Sequence, residues 1–327
     1  MNTLFTFSET DNFWMDDPEE TRTPGNTAYH RPVMLQECIA NLEINRIGTY
    51  VDCTFGGGGH SEIMMQMVKE AGHLIAFDQD PDAAANAATW ANKNFHFIAG
   101  NFRYLKNYLR AEGFPQVDGI LADLGISSFQ IDEPGKGFSI RFEGPLDMRM
   151  NRDQDFSAEE VVNEYKPEEL LRVFKMYGEV ENPKRLTDRI VQERAKRPIT
   201  TTTQLRDAIM PMAPRKREYK YLAQVFQAIR IEVNDEMVAL RELLEQSVEV
   251  LKPGGRLVVL TYHSLEDRLV KNYIGKGKFE GDVEKDFYGN DVKPLKAVWR
   301  NALVPSPEEL ALNPRARSAK LRVAEKI

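Results

Sequence analysis

Gly48-Thr49-Tyr50-Val51-Asp52-Cys53-Thr54-Phe55-Gly56-Gly57-Gly58-Gly59-His60 is a strand that runs straight into four glycines, and Ser61-Glu62-Ile63-Met64-Met65 follows it with helical character. Glycines at a strand-to-helix turn permit positive φ and let the backbone approach a ligand with no Cβ in the way. One plain tight turn rarely needs four of them. His73-Leu74-Ile75-Ala76-Phe77-Asp78-Gln79-Asp80 reads as a second strand ending in carboxylates. An acid about 20 residues past the glycines is placed to accept from the ribose hydroxyls of a nucleoside cofactor.

The type of nucleoside follows from the loop's departures. A dinucleotide fold wants G-x-G-x-x-G/A, with a pyrophosphate on the helix N-terminus. Gly56 and Gly58 fit that pattern, but Ser61 stands at the third position. Asp52, just before the loop, is awkward beside a pyrophosphate and welcome beside a cation such as the sulfonium and amino group of S-adenosylmethionine. Asp52, the glycine loop and Asp78 together point to a methyltransferase-type site.

Outward from this segment, strand and helix alternate: a helix over 35–42, strands over 74–77, 95–99 and 117–123, and helices over 81–92 and 104–112. That alternation predicts a parallel sheet covered by helices. The pattern breaks between 134 and 217, where no good strand runs occur and helices are expected over 157–165, 167–177, 183–196 and 203–212. Ser157 with Glu160 three residues on forms a capping box. One long helix over 221–251, a Lys252-Pro253-Gly254-Gly255 turn and a strand over 256–262 restore the alternation. The expected architecture is α/β: a Rossmann-like class I methyltransferase sheet, residues 28–133 and 218–327, with an inserted helical domain over 134–217. The insertion falls above the crevice where open α/β sheets bind ligands.

Composition bounds the function classes. The 327 residues are 42% hydrophobic and 28% charged, ordinary for a globular chain with a sizeable core. No apolar run approaches the ~20 residues that span a bilayer, and the start lacks a signal-peptide pattern, so a cytoplasmic protein without a membrane partner is expected. Cys38 and Cys53 are the only cysteines and the five histidines are scattered, so no metal site is expected. Net charge is −7. Residues 1–20, however, hold six acids and no Lys or Arg, and 1–27 read as a mobile acidic extension. From Lys184 to Arg230, twelve Lys and Arg face only four Asp and Glu, a local excess of eight positive charges. Local fields of that sign attract phosphates, although solvated helix faces account for about half of such a run.

The ordered set His30-x-Pro-Val-Met34, Asp52 through His60, Asp78-Gln-Asp80-Pro81, Asp123-Leu-Gly-Ile-Ser-Ser128, Gly144-Pro-Leu-Asp-Met-Arg149, Arg230-Ile-Glu-Val-Asn234, Tyr262-His-Ser-Leu-Glu-Asp-Arg268 and Asn313-Pro-Arg-Ala-Arg317 closely resembles the MraW (RsmH) family of bacterial ribosomal RNA methyltransferases. The resemblance runs from about Tyr29 to Glu325. It implies methyl transfer from S-adenosylmethionine to the exocyclic N4 amine of a cytidine in the decoding region of 16S ribosomal RNA, with the small ribosomal subunit as the expected partner. It also implies cofactor contacts at Gly58, Gly59, His60, Asp78, Phe102, Asp123 and Gln130.

Each residue has a role to offer. Asp78 accepts from ribose, Phe102 offers a face for adenine, Asp123 sits beside the sulfonium, and Gln130 reaches the amino-acid end. His60 reads equally as a helix cap, Phe102 as core, and Asp80 as the N-cap of the helix begun by Pro81. Asp123 and His263 are the candidate catalytic residues, and Arg215, Lys216 and Arg217 the candidate RNA contacts. The loop after Asp123 lacks the Pro-Pro-aromatic run that many amino-methyltransferases use to hold the target amine. An amino-methyltransferase of another substrate, or a non-catalytic ribosome-assembly factor that keeps the cofactor fold, remains as the alternative, and the oligomeric state is open.

Overall fold

The buried-type runs become five parallel strands: β1 (Thr49–Asp52), β2 (His73–Asp78), β3 (Phe95–Ala99), β4 (Val117–Asp123) and β5 (Leu251–Thr261). The computed structural model describes residues 32–69 and 71–327, so the expected acidic extension over 1–27 and His30 of the first motif lie outside the described residues. Two further strands, β8 (Leu295–Ala297) and β9 (Lys320–Lys326), complete a seven-stranded sheet of order β3-β2-β1-β4-β5-β9-β8. There β9 runs antiparallel to β5, and β8 antiparallel to β9. Between β5 and these edge strands, β6 (Glu284–Lys285) and β7 (Asp291–Val292) form a separate exposed hairpin.

Burial on both faces is what a central parallel sheet demands. Alternate residues supply two different cores, as the pleat requires. Val51, Ile75, Phe77, Ile120, Leu257 and Val259 face one cluster; Tyr50, Leu74, Leu121, Val258 and Leu260 face the other. The first is covered by α4 (Leu105–Ala111), α11 (Glu236–Val250) and α12 (Ser264–Lys276), the second by α1 (Leu35–Leu42) and α2 (Gly59–Met67). The short α3 (Pro81–Ala87) and α5 (Ser128–Asp132) follow β2 and β4.

A third apolar cluster stands apart from the sheet. It joins α6 (Ala158–Glu164), α7 (Pro167–Val173), α8 (Pro183–Lys196) and α9 (Thr202–Ile209) to α10 (Glu218–Asn234), through Val161, Leu170, Phe174, Leu186, Ile190, Leu205 and Ile229. Ser157 and Glu160 form the capping box at the start of α6, and Thr201 caps α9. A last helix, α13 (Pro307–Leu312), precedes β9.

Three expectations change. The helix placed over 221–251 is two helices, α10 and α11, because Asp235 adopts a left-handed conformation with φ 51°. Its neighbour Asn234 turns inward there, donating to Met148 O at 2.8 Å and accepting from Met150 N at 2.8 Å. The apolar periodicity continues across the break and conceals it. The helix placed over 81–92 stops at Ala87, since Trp90 folds back against Phe55 and Phe95, with ring centroids 5.2 and 4.7 Å apart. The Pro253-Gly254-Gly255 turn lies within β5: Val117 pairs with Leu251 and Gly119 with Arg256, so residues 252–255 bulge out of the ladder.

Candidate functional site

The order of strands fixes where a ligand belongs. From β1 the chain moves outward to β2 and β3, then returns to place β4 on β1's other side, so the crevice opens beyond the carboxyl ends of β1 and β4. Three adjacent strands, β2, β1 and β4, end there in aspartates: Asp78, Asp52 and Asp123.

Asp52 is buried, accepts from Ser61 Oγ at 2.7 Å and from Thr54 N at 3.0 Å, and so ties the end of β1 to the first turn of α2. Asp78 accepts from Gly56 N at 2.7 Å and Asp80 N at 2.9 Å, which straps the glycine loop to the end of β2. Burial pushes the Asp78 carboxyl up to about 6 in spite of those two donors. Asp123 accepts the Tyr262 hydroxyl at 2.6 Å, while its other oxygen lies 3.8 Å from His60 Nδ1. Burial pushes it too up to about 6; His60 and the Tyr262 hydroxyl pull it down, and the charges of Asp52 and Glu266 push it further up. Neighbouring carboxylates held out of water disfavour one another's ionised forms, and a cation placed among them relieves both costs. A row of carboxylates of this kind suits a positively charged ligand.

Beside the aspartates lies a cleft of about 410 Å³, open to solvent. Thr54, Gln79, Asn101, Phe102, Leu124 and Gly125 line it from the sheet, Met150 from the segment leading into the helical layer, and Asn234, Glu236, Met237, Leu240 and Glu266 from the opposite wall. Phe102 packs against the sheet core and also forms part of the cleft wall.

The glycines divide their work. Gly58 has φ +82° and Gly56 φ +49°, conformations that favour glycine. A Cβ on Gly58 would lie 2.7 Å from the Trp90 ring, and one on Gly59 would collide with Pro32. At those two positions the absent side chains are required by the protein's own packing. His60 is buried, and its Nε2 meets Val33 O at 3.2 Å. It does not cap α2, whose N-cap is Gly58.

Gln130 lies in the first turn of α5, where its Oε1 accepts from Ser127 N at 3.0 Å in a capping box. Its Nε2 donates to Asp80 at 2.7 Å. Asp80 is the N-cap of α3 and also meets the buried Lys136, Nζ to Oδ2 2.5 Å. Lys136 reaches Asp82 as well, at 2.6 Å. Lys136 thus straps the root of the helical layer to the residues just after β2, while Asn234 ties the end of α10 to the segment that carries Met148 and Met150.

His263 is the N-cap of α12, with Nδ1 accepting from Glu266 N at 3.4 Å. Its Nε2 lies 3.2 Å from Glu266 Oε1 but has no hydrogen-bond partner. Glu266 in turn accepts from Tyr262 N at 2.7 Å. Burial pushes Glu266 up, yet His263, the Tyr262 N–H and Arg230 outweigh it and hold the carboxyl below its usual range. Glu236, His263 and Glu266 bring ligand atoms within 4.8 Å of one another. Arg230, however, makes a two-pronged bond to both oxygens of Glu236 at 2.8 Å, so this cluster's positive charge comes from the protein.

Arg215, Lys216 and Arg217 are exposed in the turn before α10. The seventeen residues of α10 separate them from the cleft-lining Asn234, about 25 Å of helix. Within the basic run, Arg189, Arg194, Lys196, Arg206, Arg217 and Arg230 bond to carboxylates or carbonyls. Lys184, Arg185, Arg197, Arg215, Lys216 and Lys220 are exposed. Sequence reasoning gave no role to Tyr262, Glu266, Arg230 or Asn234, though all four lie in stretches it had singled out; it overlooked Lys136 and Tyr219. Tyr219 is 75% exposed beside Lys220 at the start of α10.

A family model described as the MraW methylase family matches residues 27–327. Two proteins named ribosomal RNA small subunit methyltransferase H are similar over nearly their whole length. The one from Cytophaga hutchinsonii is 55% identical, covering 91% of this chain and 99% of its own. The one from Flavobacterium johnsoniae is 53% identical, covering 91% and 98%. Among solved structures, a putative rRNA-methylase from Clostridium thermocellum aligns over 91% of this chain and 99% of its own, at 13% identity and a TM-score of 0.43. The family model spans residues 27–327, the relatives are more than half identical over nine-tenths of the chain, and the chain belongs to the MraW methylase family.

Proposed function

We propose that this protein transfers a methyl group from S-adenosylmethionine to the exocyclic N4 amine of a cytidine in the decoding region of 16S ribosomal RNA. Methylation of small-subunit ribosomal RNA is the activity its relatives' names carry. The observation that carries the reading is the row of aspartates at three adjacent strand ends beside a solvent-open cleft, a place built for a cationic nucleoside.

The residues fit the cofactor. Asp78 keeps lone pairs for ribose hydroxyls, Phe102 offers a ring face at the cleft wall, and Gly58, Gly59, His60 and Gln130 frame the crevice. Attack of the amine on the sulfonium methyl breaks a sulfur–carbon bond and leaves the positive charge on the nitrogen, which must then lose a proton. Asp123 stands at the strand end nearest that event. Its carboxylate favours the cation, accepts a hydrogen bond from the amine and takes the proton. Placing the lone pair behind the methyl group is the main task, and the end of a rigid strand suits it. His263, held as a cap, orients the wall that carries Glu266.

The helical layer over 134–217 is proposed to hold the RNA. Arg215, Lys216 and Arg217 contact phosphates, and the exposed Tyr219 ring gives an unpaired base a surface to stack on. The target base must be single-stranded or flipped to enter the cleft. The decisive experiment is radiolabelled methyl transfer to ribosomal RNA, naked and packaged in small subunits, followed by nucleoside analysis. N4-methylcytidine at a single position is expected. Label on another nucleoside, or none on either substrate, would overturn the assignment.

A further inference from the structure

We infer that Tyr262 is a positioning residue, whose hydroxyl fixes Asp123 through one carboxylate oxygen and leaves the other, which lies 3.8 Å from His60 Nδ1 and beyond hydrogen-bond reach of it, to face the target amine. The inference rests on the proposed role of Asp123.

The geometry comes from three elements. β5 ends at Thr261, and the chain must leave the sheet there to begin α12. Glu266 controls that exit by accepting from Tyr262 N at 2.7 Å and His263 N at 3.2 Å. Glu266 is itself almost wholly buried, so this anchor does not wander. The Tyr262 ring then lies over the loop after β4, where a Cβ on Gly125 would meet it at 3.6 Å, an ordinary contact. Its hydroxyl ends 2.6 Å from Asp123 Oδ1. On the opposite side, the Asp123 backbone N–H donates to Thr54 Oγ1 at 2.7 Å. Asp123 is thus held from β1 through its backbone and from β5 through its side chain. A carboxylate with one oxygen fixed can rotate no further, and its second oxygen has one direction to offer.

Among the described residues, the ionisable groups that act most on this pair come from four elements. His60 on α2, Asp52 on β1 and Glu266 on α12 act on Asp123, while Cys38 on α1 and Glu266 act on Tyr262. The Tyr262 hydroxyl is a donor that favours the charged form of Asp123. A purely structural tyrosine would contribute volume and nothing to that ionisation.

The test uses Tyr262→Phe, which keeps the ring and removes only the oxygen. Turnover at saturating S-adenosylmethionine is expected to fall about tenfold, less than the roughly 10²–10⁴-fold that a positioned proton acceptor itself contributes, because the acceptor stays and only its aim is lost. The KM for cofactor should change much less. The acidic limb of the pH–rate profile should move to higher pH by about half a unit to one unit, because Asp123 loses a donor to its charged form. Carbon-detected NMR titration of the cofactor-free protein should show the same upward move for the Asp123 carboxyl, independent of any turnover. An unmoved carboxyl titration in the folded variant would overturn the inference, even if turnover fell. Asp123→Ala separates it from the reading beneath. Wild-type turnover in Asp123→Ala would remove Asp123 from the reaction and leave that reading, not the Tyr262–Asp123 bond, as the failure. In the Asp123→Ala background, Tyr262→Phe should cost nothing further. An undiminished cost there would show that Tyr262 acts by another route.

Discussion

The strand ends and the turn before α10 treat charge in opposite ways. At the strand ends, Asp52 is buried and Asp78 and Asp123 are half-buried, each held by donors from a neighbouring element, and the latter two are pushed up to about 6. In the turn before α10, Arg215 and Lys216 project into solvent beside an exposed tyrosine. Buried charges cost free energy that a ligand of opposite sign returns, so they select a small cation with defined geometry. Exposed cations cost little and select little, so they suit a long polyanion gripped at many points. One protein carries both because its two proposed substrates differ in that respect.

The largest effect is expected where the buried site is broken outright. Asp78→Ala should weaken S-adenosylmethionine binding by about 1.5–3 kcal/mol, the range for hydrogen bonds to a charged group. The loss has two sources, since the ribose acceptor disappears and Gly56 N–H loses its strap. Titration calorimetry reads the affinity, and an unchanged value would take Asp78 out of the site. RNA binding by the same variant should be unaffected.

Acid should act on the same half of the molecule. Asp78 and Asp123 both titrate near 6, and it is their ionised forms that accept from ribose and favour a sulfonium. Cofactor affinity should therefore hold above pH 7 and decline through pH 6, by about 1.4 kcal/mol for each unit below it per group involved. Calorimetry in buffers of different ionisation enthalpy should also show proton release on binding near pH 6. A flat profile between pH 5 and 8 would mean that neither carboxylate meets the cofactor.

The exposed region is broken more gently. Arg215→Ala with Lys216→Ala and Arg217→Ala should weaken RNA or subunit binding and flatten its salt dependence, by about 0.7–0.9 in the logarithmic slope for each phosphate that is no longer neutralised. Arg217, already paired with Glu181 at 3.1 Å, should account for the smallest share. Tyr219→Ala should cost about 1–3 kcal/mol if the ring stacks on a base, and Tyr219→Phe almost nothing. Cofactor affinity should stay constant throughout. An unaltered salt slope would reduce the cluster to a solvated face.

The same contrast explains what was legible in the sequence. Strand ends declare themselves: apolar runs closed by Asp52, Asp78 and Asp123 gave the sheet, the crevice and the sign of its charge. Glycines declare a turn but not its cause, and the Cβ positions of Gly58 and Gly59 are excluded by Trp90 and Pro32. What stayed hidden was long-range pairing. Nothing in the spacing of Arg230 and Glu236 distinguishes a buried ion pair from two solvated charges, and no local signal brings Tyr262 to Asp123, 139 positions away. The break at Asp235 was hidden for a related reason, since Asn234 is turned inward by Met148 and Met150 from a distant segment.

The smallest effect has an unusual sign. Asp123 is raised to about 6 in the fold against an ordinary 3.8, so keeping it ionised at neutral pH works against folding. By linkage, a raised carboxyl favours the folded state most below the unfolded value, and that advantage is lost as pH climbs through about 6. Asp123→Asn removes the ionisation and keeps an oxygen for the Tyr262 hydroxyl. In cofactor-free protein at pH 7.5 it should raise stability by about 1 kcal/mol, less than the full shift implies because His60 loses its partner. The gain should shrink as pH falls below 6 and vanish only below about 3, where the wild-type carboxyl is protonated in both states. Thermal melts at pH 7.5, 6 and 4.5 read it directly. A variant less stable than wild type at pH 7.5 would show that Asp123 is a structural anchor. A more stable but slower enzyme would mark a charge retained for chemistry at the expense of the fold.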